Sequence, residues 1–372
     1  MTINPPSQLD APTIAKSLRA TFDSGRTRPL AWRKAQLSGL IRMLKEQEAT
    51  FIEAIRADLR RPGVEAYVAD IGSTLAELRV MEKQVGNWMK PERVRLGMTM
   101  QPGKGFVHPE PLGVVLVIAP WNYPVQLLVE PVAAALAAGN CVVAKPSELA
   151  PACSAALAEQ LPRYVDPEAI TVVEGGVDET TALLAERWDH IFFTGSTAVG
   201  RVVAEAAARH LTPTTLELGG KSPTYVHASA DLDVAARRIA WGKFMNAGQT
   251  CIAPDYVLAD KSIRDQLVEK LTKQIDQFYG ADPKASADLG RVINDRHVTR
   301  LQGLLDGGAG TVVTGGQVDA ATKYVAPTIT IDPPLDSPIM QQEIFGPILP
   351  VLEVDGPTEA KAFVNEREKP LA

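Results

Sequence analysis

Between residues 114 and 218, short apolar runs alternate with helix-like stretches, and this alternation limits the possible folds more than any other feature of the chain. Residues 114–119, 141–144, 170–173, 190–193 and 215–218 are strand-sized and apolar. Residues 126–138, 151–164, 180–186 and 198–210 carry helical spacing between them. Short strands with no polar face, each separated by a helix, specify a parallel sheet covered on both sides. Ligands of such sheets bind beyond the carboxyl ends of the strands. The loops after Ala119, Ala144, Val173 and Phe193 are therefore the places to search. A second series follows Gly219, with strands at 224–226, 256–258, 311–313, 328–331 and 349–354 and helices at 231–245, 262–279 and 296–305. The chain reads as α/β, with two doubly wound parallel-sheet domains divided near residues 218–222.

Residues 14–59 and 64–89, ahead of the first sheet, have helical periodicity, with Leu37, Leu40, Ile41 and Leu44 on one face and Pro91 closing the second run. Residues 94–108 differ. Met, Gly and Val flank Pro102-Gly103-Lys104-Gly105, the pattern of a projecting β-hairpin that is either a dimer contact or a surface flap. The last periodic stretch is a helix at 359–366.

Bulk properties exclude several classes. The 372 residues are 45% hydrophobic and 22% charged, ordinary for a globular protein with a large core. A net charge of −6 without a basic block disfavours nucleic-acid binding. No apolar run approaches the roughly 18–20 residues of a membrane span, and residues 1–10 lack the pattern of a signal peptide. The three cysteines, Cys141, Cys153 and Cys251, fit reduced thiols in a cytoplasmic compartment better than a disulfide framework. No Cys/His spacing reads as a metal site.

Several loops carry residues suited to chemistry. Cys251 ends Asn246-Ala247-Gly248-Gln249-Thr250-Cys251, a small-residue junction between helix and strand where a nucleophile would be exposed. A lone cysteine is more often a buried hydrophobe. Asn122 lies in Pro120-Trp121-Asn122-Tyr123-Pro124; the prolines fix the loop, so its amide either stabilises an oxyanion or bonds its own turn. Lys145 and Glu148 follow the second strand, either to hold a nucleotide's hydroxyls or as a solvated charge pair. Gly195, Ser196 and Gly200 belong to a glycine-bearing turn that opens a helix, suited to a pyrophosphate or simply capped. Glu217 sits in an apolar strand before Gly219-Gly220-Lys221, and is expected to be paired with Lys221 or held as a general base of raised pKa. The two glycines would let a partner approach the backbone closely. Glu343 and Phe345, in Gln342-Glu343-Ile344-Phe345-Gly346-Pro347, would take a second ribose and pack on a flat ring, or form a strand-leading turn.

Taken together these blocks settle what each leaves open. PWNYP, KPSE, FTGSTAVG, LELGGKSP, GQTC and EIFGP occur in the order, and with the Glu217–Cys251 spacing, of the aldehyde dehydrogenase superfamily. The chain resembles that family from about Trp32 to its last residue, most closely its class 3 branch of fatty, aromatic and coniferyl aldehyde dehydrogenases. The resemblance implies an NAD(P)-binding domain at 1–93 and 109–218, an oligomerisation hairpin at 94–108 and a catalytic domain at 219–372. It implies that Cys251 attacks the aldehyde, that Asn122 and the Cys251 N–H hold the oxyanion, and that Glu217 activates water to hydrolyse a thioester. Members that pass the acyl group to coenzyme A generally lack that glutamate. Lys145, Glu148, Gly195, Ser196, Gly200, Glu343 and Phe345 match positions around the dinucleotide, with NAD expected and NADP tolerated. A cytoplasmic homodimer is implied as well.

Chains of the family run some tens of residues past the point matching Ala372, through a segment that lines the aldehyde tunnel and supports the dimer. One alternative is therefore an inactive binding or structural protein on the same scaffold. Another is a cofactor-independent cysteine hydrolase, although no histidine stands in any motif block to serve as its base.

Overall fold

The computed structural model describes residues 10–372. The stretch read above as lacking a signal peptide falls, up to Leu9, outside the described residues. The chain forms two compact units. One comprises the chain up to Ala54 together with Tyr67–Glu217, the other Ile55–Ala66 together with Leu218–Ala372. The sequence division near 218–222 gives no sign that Ile55–Ala66 groups with the later residues.

The first unit opens with helices α1 (Ala11–Asp23), α2 (Leu30–Glu46) and α3 (Glu48–Leu59), the last continuing across the unit boundary. After the short α4 (Gly63–Ala66) the expected single helix is broken by a π-turn at Tyr67–Gly72 before α5 (Ser73–Trp88). Strands β1 (Glu92–Val94) and β2 (Gly105–Val107) pair antiparallel, Glu92 opposite Val107, which makes the expected hairpin. Met98, Met100, Phe106 and Val107 on it are exposed.

The sheet of this unit contains β3 (Val114–Ile118), β4 (Cys141–Lys145), β5 (Ile170–Val172), β6 (His190–Gly195) and β7 (Thr214–Leu218) in the order β5-β4-β3-β6-β7. The pairings of β3 with β4, β3 with β6 and β4 with β5 are parallel. Helices α6 (Gln126–Ala137), α7 (Pro151–Tyr164), α8 (Val177–Ala185) and α9 (Thr197–Ala208) connect the strands. Every side chain of β3 and β4 is buried. Each buried Val, Leu or Ile there contributes about 1.5–3 kcal/mol, and this is why these strands read as unbroken apolar runs. The winding reverses between β3 and β6, so the switch point lies at their carboxyl ends.

The second unit holds β8 (Pro223–Val226), β9 (Tyr256–Asp260), β10 (Thr311–Thr314), β13 (Thr328–Ile331) and β14 (Ile348–Val354), ordered β10-β13-β14-β9-β8. A small ribbon, β11 (Val318–Asp319) with β12 (Tyr324–Val325), stands apart. The main sheet is parallel except at β10, which runs antiparallel to β13. Alternate residues of β9 serve opposite faces, as the two-residue period of a strand requires. Val257 joins Phe244, Leu267, Leu271 and Leu349 beneath α10 (Leu232–Phe244) and α11 (Arg264–Tyr279). Tyr256 and Leu258 pack with Val298, Leu301 and Ile348 beneath α12 (Asp295–Asp306). The short α13 (Pro338–Gln341) and the closing α14 (Pro357–Asn365) complete this face.

Candidate active site

The loop that presents Cys251 begins where α10 stops. Asn246 (φ 52°), Ala247 (φ 50°) and Gly248 (φ 73°) all lie in the left-handed region. For Asn and Ala this costs on the order of 1–2 kcal/mol each, so the surroundings must impose it. The Asn246 N–H donates to Glu65 Oε2 at 3.1 Å. Gln249, fully buried, clamps the turn: its Nε2 donates to the Asn246 and Arg291 carbonyls, each at 3.0 Å, and its Oε1 accepts from the Ile293 N–H at 2.9 Å. At Gly248 an added Cβ would lie 2.2 Å from the Gly346 carbonyl oxygen, so only glycine allows the loop to rest on that backbone. Cys251 follows, half-buried, with its carbonyl accepting from Ser222 Oγ at 3.5 Å.

The segment beneath Gly248 is the block carrying Glu343 and Phe345. Phe345 too is left-handed, at φ 45°. Arg300 binds three successive carbonyls there, donating to Glu343 O at 3.2 Å, Ile344 O at 2.6 Å and Phe345 O at 3.4 Å. Asp255 Oδ1 accepts the Ile344 N–H at 2.8 Å. The Glu343 side chain lies against Gly219, where a Cβ would sit 2.2 Å from its Oε2, and it accepts a backbone hydrogen bond from Gly220. The close partner expected of the glycine pair is thus Glu343. Burial pushes its carboxyl up to about 7, the Gly220 N–H opposing, and its Oε1 is buried without a hydrogen-bond partner.

In the first unit, Asn122 is 3% exposed in the loop between β3 and α6. Buried Asp70, from the π-turn, accepts the Val125 and Gln126 N–H groups at 3.0 and 3.1 Å and so anchors this loop at the start of α6. Lys145 ends β4, 2% exposed, donating from Nζ to Pro146 O at 2.8 Å and standing 3.6 Å from the exposed Glu148 carboxylate. Burial lowers the Lys145 pKa, with Glu148 opposing. Gly195 ends β6, and Ser196 caps α9, its Oγ accepting the Val199 N–H at 3.4 Å. Gly200 is buried in the first turn of that helix. Asn122, Lys145 and Gly195 thus sit at or just beyond the carboxyl ends of three neighbouring strands.

One expectation is corrected. Glu217 is exposed, because β7 is the sheet's edge strand, and its side chain is not enclosed by the apolar residues around it. Lys221 is committed elsewhere. It forms an ion pair with Asp255 and donates to the carbonyls of Ile339 and Gln342 at 2.8 and 2.9 Å.

The bracing residues escape motif reading. Glu65, Asp70, Gln249, Asp255 and Arg300 act by holding loop backbone, and each stands in a segment read only for its periodicity or for a neighbour. A signal was nonetheless present. Asp70 interrupts Val68-Ala69-Asp70-Ile71, and Lys243 occupies the same helical face as Ala236, Ile239 and Ala240. Charges on apolar faces are rarely buried without a partner or a task. Glu65 also borders a cavity of about 150 Å³ with Trp241, Met245, Phe278, Tyr279 and Asp288.

A parallel sheet open at its switch point suits a dinucleotide. A thiol on a braced loop, with no histidine base in its block, suits attack on a carbon that is already electrophilic, such as an aldehyde carbonyl. Fold and site together are those of an NAD(P)-dependent oxidoreductase acting on aldehydes. Comparison with known proteins agrees. The sequence model described as "Aldehyde dehydrogenase family" matches residues 3–372. The chain is 51% identical over 359 residues to the dimeric NADP-preferring aldehyde dehydrogenase of Canis lupus familiaris, covering 96% of this chain and 79% of that one. It is 50% identical over 355 residues to aldehyde dehydrogenase family 3 member A2 of Rattus norvegicus, covering 95% and 73%. Among solved structures, the substrate-bound Staphylococcus aureus AldH superposes with a TM-score of 0.94 at 41% identity, over 98% of this chain and 79% of that one. The chain belongs to the aldehyde dehydrogenase family. With both units folded around closed cores, nothing favours the inactive alternative.

Proposed function

We propose that the chain oxidises an aliphatic or aromatic aldehyde to the carboxylic acid through Cys251, working as a cytoplasmic homodimer. The observation that carries this reading is the strained loop that presents Cys251 half-exposed, fastened by Glu65, Gln249 and the Gly248–Gly346 contact. Strain of this kind persists where a side chain must be aimed. The thiolate attacks the aldehyde carbon and forms a hemithioacetal. Asn122, held by the loop that Asp70 anchors, and the Cys251 N–H stabilise its oxyanion. Glu217, exposed and so able to meet water, draws the proton from the molecule that hydrolyses the thioester.

The residues present fit a nicotinamide dinucleotide: the unpartnered Glu343 Oε1 and the helix N-terminus at Ser196 are complementary to ribose hydroxyls and a pyrophosphate. When bound it accepts the hydride. Lys145 and Glu148 would hold the adenosine ribose, Gly195, Ser196 and Gly200 the phosphates, Glu343 the other ribose, and Phe345 the ring edge. The exposed Glu148 carboxylate repels a 2′-phosphate, so NAD is the preferred cofactor. Likeness to an NADP-preferring relative supports acceptance of NADP. The dimer rests on that relative's name and on the exposed hairpin, and among the described residues no helix is long and apolar enough to cross a membrane.

The test is NADH formation with medium-chain, benzaldehyde-type and coniferyl aldehydes. Cys251→Ala is expected to abolish it, and Glu217→Gln to spare the first-turnover burst while slowing steady turnover. Activity retained by the cysteine variant, or a lost burst in the glutamine variant, contradicts the assigned roles.

A further inference from the structure

The second unit encloses five charged side chains around the Glu343 block: Lys221, Lys243, Asp255, Arg300 and Glu343. Their hydrogen bonds divide them unevenly. Asp255 uses one oxygen on Lys221 and the other on the Ile344 N–H. Lys221 adds two carbonyls to that pair, and Arg300 spends its donors on the carbonyls of Glu343, Ile344 and Phe345. Two polar atoms remain, both buried and without a hydrogen-bond partner: Lys243 Nζ and Glu343 Oε1. One is a cation and the other an anion, and each lies within the other's field. Lys243 itself is 0% exposed, on the core face of α10. A buried ammonium is stable only beside a counter-charge; those facing Lys243 are Asp255, the stronger, and Glu343, whose Oε1 alone is left without a hydrogen bond.

We propose that Lys243 is a positioning residue for cofactor binding: its buried ammonium helps keep the Glu343 carboxylate charged, as an acceptor of the ribose hydroxyls. This rests on the reading of Glu343 as a ribose acceptor. The energetics agree. Burial lifts the Glu343 carboxyl to about 7, with Asp255 adding to the rise while the Gly220 N–H, Arg300 and Lys243 oppose it. Burial likewise drops the Lys243 ammonium to about 8, with Asp255 and Glu343 holding it up and Lys221 and Arg300 pressing it down. Cofactor grip should then fall on the acid side as Glu343 protonates.

The measurement is NADH affinity by fluorescence titration from pH 6 to 9, with cofactor KM and kcat beside it, on the intact protein. Wild type is expected to lose affinity below about pH 7. Lys243→Met should move that midpoint upward, because removal of an opposite charge raises a carboxyl's pKa. At pH 7 it should weaken NADH measurably through KM rather than kcat, with near-wild-type affinity at pH 9. Lys243→Arg should keep the wild-type midpoint. Glu343→Gln should flatten the profile, and adding Lys243→Met to it should change nothing further. An unmoved midpoint in Lys243→Met, or an equal loss at every pH, overturns the proposal; if that variant does not fold, the same contrast is read from Lys243→Arg against Lys243→Gln. Failure of the ribose reading is distinguishable, since Glu343→Gln would then bind NADH like wild type at pH 9.

Discussion

Gly248→Ala is the sharpest test of how the thiol is aimed. The substitution changes one methyl group, yet two costs coincide. Ala must adopt φ 73°, which costs an L-residue about 1–2 kcal/mol. Its Cβ would also stand 2.2 Å from Gly346 O, 2.4 Å from Gly346 C and 2.9 Å from Pro347 N. All three are backbone atoms, so no side chain can rotate away. To reach van der Waals contact the loop and the Gly346 segment must part by about 1 Å, and forced expansion of a packed contact typically costs about 1–3 kcal/mol. The sum, roughly 2–5 kcal/mol, exceeds what the bracing hydrogen bonds can absorb at about 0.5–1.5 kcal/mol each. Displacement of a reacting group by about 1 Å can lower the rate on the order of a hundredfold. Steady-state NADH formation and alkylation of Cys251 by iodoacetamide would be measured together with a urea melt. The expected result is a rate loss near two orders of magnitude in a protein that still folds, though less stably. A Gly248→Ala enzyme with wild-type rate and midpoint would refute the claim that this contact sets the loop.

Two further outcomes follow from the bracing carboxylates. Asp70→Ala leaves the Val125 and Gln126 N–H groups without their acceptor, and unsatisfied buried donors cost about 1–3 kcal/mol each; chemical denaturation should show that loss, with Asp70→Asn recovering part of it, and an unchanged midpoint would deny the anchoring role. Glu65 is lifted by burial to about 6, so the folded state holds its proton more tightly than the unfolded state does. Stability should therefore be fullest below the ordinary value of 4.5 and fall as pH rises through about 6. The difference amounts to about 2 kcal/mol, at 1.36 kcal/mol per pKa unit. Glu65→Gln, which keeps an acceptor for the Asn246 N–H, should remove this decline between pH 5 and 8 in paired urea melts, and an identical slope in both proteins would count against it.

The strands of both sheets were legible because burial on two faces leaves an unbroken apolar signature, as in Val114–Ile118 and Cys141–Lys145. The loops bearing Asn122, Lys145, Ser196 and Cys251 were legible because they follow such strands or close a strongly periodic helix. What the sequence concealed depends on distant pairing. Lys221 and Glu217 are near neighbours in the chain, yet Lys221 pairs with Asp255, which a short-range reading cannot see. Glu217 looked enclosed because its flanks are apolar, but exposure depends on β7 being an edge, a property of sheet order. The π-turn at Tyr67–Gly72 was hidden for a related reason: its spacing continues that of the flanking helices, and the bond from the Val125 N–H to Asp70 joins residues 55 apart in the chain.

The assignment of Ile55–Ala66 to the later unit bears on how the enzyme is made. This short helical segment is synthesised early, but the unit it groups with is not complete until β14 has been made. Its contacts are specific: Arg291 N–H donates to the Leu59 carbonyl at 2.8 Å, and Glu65 grips Asn246 across 181 residues of sequence. Non-local closures of this kind slow folding, because chain entropy is lost before the contact forms. The nascent chain must therefore carry this segment for more than a hundred residues before its partners Asn246 and Arg291 exist. The shape of the thiol loop therefore depends on a residue made long before it, through the Glu65–Asn246 hydrogen bond.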